Sequence, residues 1–146
     1  MTEYSIRKIK PEAIPQYIED IASKSIRCAL DVHTALGPGL LEKVYETCLK
    51  YELQENGFEV TSQVRLPVNY KNNSLKNAYR LDLLVENCFV IEIKTVEKIR
   101  PLHQAQLLTY LKLSGYRLGF IFNFNTVHLK DGMKRVVSDL EFTKST

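Results

Sequence analysis

The chain has 146 residues, of which 45% are hydrophobic and 25% are charged, and its formal net charge at pH 7 is +3. These values are typical of one globular domain with a real core, and they exclude an intrinsically disordered chain. A net charge of +3 is weak evidence for a polyanionic partner. Any nucleic-acid contact would have to come from a local basic patch.

Two helices are predicted after residues 1–14, which are expected to form an irregular lead-in. From about Tyr17 to Leu36 the apolar residues recur at helical spacing, at Ile18, Ile21, Ala22, Ala29, Val32 and Leu36. The Gly-Pro-Gly segment at 37–39 ends this helix. A second helix is predicted from Leu40 to about Asn56, with Gly57 as its C-terminal cap.

The rest of the chain has the period of β-strands, interrupted by a third helix over Leu102 to Ser114, between Pro101 and Gly115. Pro67 lacks a backbone N–H, which favours an edge position for the first strand region. Strands are predicted over Phe58 to Tyr70, Tyr79 to Val85, Phe89 to Val96, Leu118 to Phe124 and Lys134 to Val137. This order predicts an α/β fold in one domain, 1–146, with a central mixed β-sheet flanked by helices.

Three cysteines, Cys28, Cys48 and Cys88, have apolar neighbours and form no CxxC pair. This pattern predicts reduced thiols that pack as small core residues in the cytoplasm. The first ten residues are polar and charged, and no apolar run approaches the roughly 20 residues of a membrane span. Neither a signal peptide nor a membrane partner is therefore expected.

The sharpest local signal for chemistry is the segment Ile91-Glu92-Ile93-Lys94. Alternate residues of a strand share a face, so Glu92 and Lys94 point to the same side. Two charges inside an apolar segment are costly unless they serve each other or a ligand. The tetrapeptide by itself is also compatible with a solvated Glu–Lys pair on an amphipathic strand.

Asp82 lies between two leucines in the preceding strand, where aspartate is unfavourable. A three-residue hairpin loop, 86–88, would place Asp82 opposite Glu92 on one side of the sheet, whereas a two-residue loop would put it on the other side. Facing carboxylates repel each other unless a cation lies between them or one is protonated. Lys94 supplies one positive charge, and a divalent metal would supply the rest.

Glu42 offers a third carboxylate, at the edge of the apolar arc of the second helix. It could belong to the same site. If Gly39 is the N-cap, however, Glu42 occupies the third helical position, where its charge complements the helix dipole. The residues themselves leave both interpretations open.

Gln106 and Tyr110 are one turn apart on the third helix. Apolar residues surround this helix, which predicts that it is buried on most sides and that the Gln106 amide needs hydrogen-bond partners. Those partners could be structural, or they could be a substrate phosphate or a metal-bound water. The other polar candidates are His33, His103 and His128 and a small basic cluster that could contact phosphates or be solvated surface, Lys130, Lys134 and Arg135.

Several motifs, taken in chain order, make the sequence similar to the GxxExxY protein family from about Ala29 to Val137. Gly39, Glu42 and Tyr45 supply the motif of that name. The other matching segments are Leu81-Asp82-Leu83-Leu84-Val85, Val90-Ile91-Glu92-Ile93-Lys94, His103-Gln104-Ala105-Gln106, Tyr110-Leu111 and Asn123-Phe124. This family is usually placed in the PD-(D/E)XK nuclease-like superfamily, which implies a restriction-endonuclease-like core.

The resemblance also implies a magnesium-dependent catalytic site. Asp82, Glu92 and Lys94 match the catalytic positions of the PD-(D/E)XK motif, although Leu81 stands where its proline often does. Glu42 matches the helical glutamate found in many members. Asp82, Glu92 and Glu42 would hold Mg²⁺, for which Mn²⁺ could substitute.

The implied substrate is nucleic acid, with DNA favoured over RNA. Gln106 and Tyr110 match the QxxxY pair of one branch of the superfamily and would position the substrate. The alternative is a non-catalytic module that keeps the nuclease fold and binds nucleic acid or protein. The sequence leaves open whether the chain forms a homodimer.

Overall fold

The structure, a computed structural model, describes residues 4–8 and 14–144. Its α-helices are α1 (Gln16–Leu36), α2 (Glu42–Glu55) and α3 (Pro101–Ser114). Its strands are β1 (Tyr4–Lys8), β2 (Val60–Tyr70), β3 (Asn73–Val85), β4 (Phe89–Lys94), β5 (Leu118–Asn123), β6 (Met133–Val137) and β7 (Leu140–Lys144). A short 3-10 helix, Leu129–Gly132, precedes β6.

Five strands form one mixed sheet in the order β2-β3-β4-β5-β6. Neighbouring strands are antiparallel except for β4 and β5, which are parallel. A parallel pair needs a crossover connection, and α3 supplies it between β4 and β5. These elements confirm the predicted α/β fold with a mixed sheet and helices. Pro67 lies in the edge strand β2, as predicted.

Two hydrophobic cores pack the helices against the sheet. In the larger, α1 and α2 contact the central strands through residues that include Tyr45, Leu49, Ile91, Ile93, Phe122 and Phe124. In the smaller, Leu107 and Leu111 of α3 contact Leu81, Leu84, Val90 and Ile121. Because side chains alternate along β4, Glu92 and Lys94 share the side of Val90, which is the α3 side.

β3 departs from simple alternation. Leu81 packs in the α3 core, although Leu83, two residues further on, packs in the other core. The change coincides with Gln63 on β2, whose φ of 56° is uncommon for a residue other than glycine. Gln63 lies between the two register pairs that flank Asp82. Asp82 is therefore located where β3 changes sides.

The ends of the described chain differ from the prediction. β1 pairs antiparallel with β7 in a separate two-stranded sheet, so the expected irregular lead-in is wrong for Tyr4–Lys8. Residues 1–3 and 9–13 of that expected segment lie outside the described residues. The pairing joins segments far apart in the chain, and local periodicity contains no information about such partners.

The helices also differ in detail from the prediction. α2 begins at Glu42, after Leu41 as its N-cap, and not at Leu40. α3 is less buried than expected, since Leu102 is 66% exposed and Leu113 is 37% exposed. One side of α3 covers the sheet and the other faces solvent. No helix among the described residues is long and apolar enough to cross a membrane.

The three cysteines are free thiols, and they pack as the sequence predicts. Cys28 is buried in the larger core, and Cys48 and Cys88 are half-buried against it. Burial raises the pKa of the Cys28 and Cys88 thiols, so these groups remain protonated and unreactive at neutral pH.

Candidate active site

The β3–β4 hairpin sets the position of the first two candidate carboxylates. Val85 pairs with Phe89, which confirms the predicted three-residue turn at 86–88. The antiparallel register continues to the pair Leu83–Ile91. The next residues along the two strands are Asp82 and Glu92.

Beyond the pair Leu83–Ile91, the Asp82 side chain replaces a backbone acceptor in the bonding between the two strands. Its Oδ2 accepts a hydrogen bond from the backbone N–H of Ile93, at 2.8 Å. This bond satisfies a strand donor and fixes the orientation of the carboxylate. The Asp82 side chain is only partly buried, so it remains accessible from the adjoining cavity.

Glu92 is the buried member of the pair, with 6% of its surface exposed. Burial, followed by a hydrogen bond to Asp82 and the charge of Asp82, raises the pKa of Glu92 from 4.5 to about 10, while the Lys94 ammonium opposes the rise. At neutral pH the folded protein therefore keeps a proton on Glu92. A shared proton is one of the two ways in which facing carboxyl groups can coexist, and a cation is the other.

Lys94 is the last residue of β4, and contacts with β5 and the residue that follows β5 hold its backbone in place. It is the parallel register partner of Asn123, and its carbonyl accepts a hydrogen bond from the Phe124 N–H at 3.0 Å. The buried Asn123 amide donates to the Val96 carbonyl at 2.8 Å and accepts from the Val96 N–H at 3.1 Å. Asn123 thus fixes the segment that follows Lys94, a role that spacing alone does not reveal.

Glu42 reaches the same site from the first turn of α2. Its Oε1 accepts a hydrogen bond from the backbone N–H of Thr95 at 3.2 Å, so the carboxylate points towards the end of β4. The capping interpretation required Gly39 to be the N-cap, but Leu41 has that position and no side chain caps the helix. The charge of Glu42 still complements the dipole of α2.

Tyr45 holds the loop that leads into Glu42. Its ring is fully buried, and its hydroxyl donates to the Gly37 carbonyl at 2.5 Å and accepts from the Leu40 N–H at 3.1 Å. Gly39 has a φ of 101°, which residues with a side chain rarely adopt. The Gly, Glu and Tyr positions of the motif therefore act together, because Tyr45 fixes the loop that leads into Glu42.

The α3 candidates differ from each other in their positions. Tyr110 is half-buried, lines the cavity and packs edge to face on Tyr79, with 5.2 Å between ring centroids. Burial, and then the charge of Glu92, raises the pKa of Tyr110. Gln106 is exposed, so its expected burial is wrong, and it is not among the described residues that line the cavity.

These side chains meet in an open cavity of about 340 Å³ that has acidic and basic walls. The acidic wall is Glu42, Asp82 and Glu92, with Lys94 and Tyr110 beside it. The other lining residues come from β2 and β3 and are Arg65, Asn77, Ala78, Tyr79 and Arg80. A smaller cavity of about 260 Å³ adjoins it and shares Glu42, Arg80 and Asp82.

Arg65 and Arg80 are site residues that the sequence reasoning missed. One signal could have found them: no Asp or Glu occurs between Glu59 and Asp82, and that interval contains four basic residues, Arg65, Lys71, Lys76 and Arg80. An acid-free basic segment immediately before a candidate carboxylate is a local charge patch of the kind that contacts phosphates.

A comparison with known protein families decides the wider assignment. The family model described as the PD-(D/E)XK nuclease superfamily matches residues 19–136. The chain belongs to the PD-(D/E)XK nuclease superfamily. Members of this superfamily usually use divalent metals. Searches of curated proteins and of solved structures gave no significant match.

The donor set of this superfamily member fits a hard divalent cation by its chemistry. Within the described residues, no three His, Cys, Asp or Glu side chains form a group already arranged to hold a metal ion. Glu42, Asp82 and Glu92 nevertheless offer carboxylate oxygens around one cavity, which are the ligands that Mg²⁺ prefers. The proton on Glu92 reduces the repulsion between the facing carboxyl groups, and a bound cation would reduce the same repulsion.

The histidines of the superfamily domain have structural positions. His33 is buried, and its Nε2 lies 2.8 Å from the Thr126 carbonyl oxygen. His103 caps α3, since its Nδ1 accepts a hydrogen bond from the Arg100 N–H at 2.9 Å. His128 is exposed outside the carboxylate cavity.

The predicted basic cluster near the end of the chain also lies outside the carboxylate cavity. Arg135 forms an ion pair with Glu19, with 2.5 Å between Nη2 and Oε1. Lys130 and Lys134 are exposed. The ion pair of Arg135 favours the interpretation of this cluster as solvated surface.

Proposed function

We propose that this chain is a magnesium-dependent nuclease that hydrolyses phosphodiester bonds of nucleic acid. The observation that carries the proposal is the buried Glu92 carboxyl, which shares one cavity with Asp82, Lys94 and Glu42. Burying facing carboxyl groups beside a lysine costs stability unless the groups serve a ligand. Membership of the superfamily supports the same assignment.

Asp82, Glu92 and Glu42 would hold the cation, and Mn²⁺ could replace Mg²⁺. When bound, the metal lowers the pKa of a water molecule and neutralises charge on the phosphate. The Ile93 N–H keeps Asp82 oriented, and the Thr95 N–H does the same for Glu42. Glu92 would hold the cation as a carboxylate, so its proton would pass to solvent when the cation binds.

Lys94 would orient the attacking water and stabilise the negative charge that develops on the phosphate. Its position is suited to this role, because Asn123 and Phe124 fix the backbone on both sides of it. Tyr110 would position the substrate from the α3 side of the cavity, with Gln106 one turn earlier at the exposed surface.

The GxxExxY group is the subgroup that we propose within the superfamily. The contacts of Tyr45 with the loop before Glu42 support it, since they give the motif a physical purpose. We also propose DNA ahead of RNA as the substrate and the cytoplasm as the location. The free thiols of Cys28, Cys48 and Cys88 support a reducing compartment.

A cleavage assay tests this function. Labelled single-stranded and double-stranded DNA and RNA are incubated with the protein in Mg²⁺, Mn²⁺ or EDTA. We expect cleavage by the wild type only with a divalent metal, and no cleavage by Asp82→Asn. Glu55→Gln is the matched control, because it neutralises an exposed carboxylate at the end of α2 and should cut like the wild type.

Metal-independent cutting, or an Asp82→Asn variant that still cuts, would contradict the proposed mechanism. A wild type that binds nucleic acid but cuts none of the four forms would instead support the non-catalytic binding module.

A further inference from the structure

The hairpin between β2 and β3 extends well beyond the sheet. β3 pairs with β4 only from Leu83 to Val85, whereas its pairing with β2 continues to Tyr70–Asn73. The part of this hairpin over residues 65–80 is named the ribbon below. At about 3.3 Å per residue, the distance from residue 65 to the turn at residue 71 is roughly 20 Å.

The ribbon itself carries only positive charges. It contains Arg65, Lys71, Lys76 and Arg80 and no acidic residue. All four are exposed, and at its far end the apolar Tyr70 and Leu75 are 63% and 55% exposed. The net charge of the whole protein is +3, so this one hairpin carries a disproportionate share of the positive charge.

Two of these basic residues lie directly opposite each other on the paired strands. Arg65 and Arg80 are register partners on the antiparallel strands, and both line the carboxylate cavity. Like charges in this relation destabilise a strand pair. Arginine cannot relieve the repulsion by losing its proton. Within the described residues neither guanidinium forms an ion pair or a side-chain hydrogen bond.

The ribbon has a bulge just beyond this pair, towards its turn. The register shifts between Leu66 and Val68, where Pro67 on the edge strand cannot donate a ladder hydrogen bond. Asn77 lies on the opposite strand at this irregularity, with a φ of 61°. Such bulges bend a strand and re-aim side chains next to functional sites. The contact between Tyr79 and Tyr110 fixes the base of the ribbon to α3.

We infer that the ribbon is a binding arm for the phosphate backbone of nucleic acid, and that Arg65 and Arg80 together hold one phosphate beside the carboxylate site. A phosphate between two guanidinium groups removes their repulsion and accepts hydrogen bonds from both. Lys71 and Lys76 contact phosphates further from the site. A duplex rises about 3.4 Å per base pair, so the roughly 20 Å of the ribbon spans about six base pairs.

This inference rests on the proposed function, and metal-free binding tests it separately from cleavage. The binding of labelled duplex DNA, single-stranded DNA and duplex RNA is measured by fluorescence anisotropy in EDTA, between about 50 and 200 mM salt. For duplex DNA we expect the Arg65→Ala/Arg80→Ala variant to bind at least about tenfold more weakly. Its slope of log affinity against log salt should be smaller by about one, the value for one lost phosphate contact.

The matched control is Lys24→Ala/Arg27→Ala, which removes the same charge from two exposed positions on α1. This control should keep most of the wild-type affinity and its salt slope. The inference fails if the ribbon variant binds like the wild type, if the control loses as much affinity, or if the wild type binds none of the three nucleic acids.

The two proposals fail in different ways. A wild type that binds through Arg65 and Arg80 but cuts nothing removes the proposed function and keeps the binding arm. A wild type that cuts, with unchanged KM in the Arg65→Ala/Arg80→Ala variant, removes the binding arm and keeps the proposed function.

Discussion

The carboxylates of the cavity and the ribbon arginines that line the same cavity have contrasting surroundings. Glu92 is buried and keeps its proton, and Asp82 and Glu42 each accept a hydrogen bond from a backbone N–H of the segment that contains or follows β4. Arg65 and Arg80 are register partners on an exposed hairpin, and neither has such a partner among the residues that the structure describes.

Under the proposed function, the carboxylates serve catalysis and the ribbon arginines serve the binding of nucleic acid. Internal hydrogen bonds hold the carboxylates in fixed positions, which suits coordination of a small cation by few ligands. The exposed arginines of the ribbon suit a long anion, whose affinity comes from many phosphate contacts and depends strongly on salt. Changes to the carboxylates should therefore affect catalysis, and changes to the ribbon arginines should affect binding.

The largest expected effect is loss of cleavage in Lys94→Ala. Its cleavage rate at saturating nucleic acid should fall at least about a hundredfold, because the variant lacks the positive charge that we propose stabilises the transition state. Its metal-free affinity for duplex DNA should change much less than that of Arg65→Ala/Arg80→Ala. The assignment of catalysis to the carboxylate side and binding to the ribbon is contradicted if Lys94→Ala keeps the wild-type rate at saturation and loses affinity instead.

The matched control for that variant is Lys98→Ala. Lys98 is exposed and is not among the described residues that line the cavity. Its replacement removes the same charge close by in sequence, and single-turnover kinetics should show a rate like that of the wild type.

The next effect is stabilisation by metal. Mg²⁺ at a hundredfold excess over its Kd should stabilise the folded wild type by about 2.7 kcal/mol, because only the folded state holds the site together. Thermal denaturation should show this response in Arg65→Ala/Arg80→Ala but not in Asp82→Asn. Without metal, Asp82→Asn should be as stable as the wild type or more so, since it removes a facing charge. An Asp82→Asn variant with the full response to Mg²⁺ would contradict the assignment of this ligand.

In metal-free protein, a smaller change in the free energy of unfolding is expected for each pH unit. The folded-state pKa of Glu92 lies above its ordinary value of 4.5, so between 4.5 and about 10 the folded protein binds more protons than the unfolded chain. The stability from this group is complete below pH 4.5 and is lost as pH rises towards about 10, at up to about 1.4 kcal/mol per pH unit.

Urea denaturation in EDTA at several pH values inside that window measures this dependence. Glu92→Gln should flatten the decline, and Glu55→Gln, at an exposed position, should leave it as in the wild type. A Glu92→Gln curve that declines as steeply as the wild type would show that Glu92 is not the group responsible.

The smallest effect is expected from a single arginine of the ribbon. Arg65→Ala removes one of two facing like charges, so at low salt it should raise or preserve stability, by up to about 1 kcal/mol. Added salt should shrink the difference, because it screens exposed charges. Lys24→Ala provides the control for loss of one exposed charge. A melting temperature that falls in Arg65→Ala at low salt would mean that the pair is not repulsive.

Much of the fold could be predicted from local pattern. Helical spacing and Gly-Pro-Gly give α1 and its end, and the three-residue turn with period-two alternation gives the register of β3 and β4. The position of Asp82 and Glu92 follows from that register, since both lie on one hairpin. The exposure of α3 could not be predicted in this way, because apolar residues all round a helix do not show which side lacks a partner.

The sequence by itself determined the hairpin that carries Asp82, Glu92 and Lys94, because strand alternation and turn length act between neighbouring residues. Only the tertiary structure decided the role of Glu42, whose carboxylate bonds Thr95 far along the chain. It alone also placed Arg65 and Arg80 in the lining of the cavity that Glu42, Asp82 and Glu92 share. These relations depend on which distant segments pack together, and packing is a property of the whole folded chain.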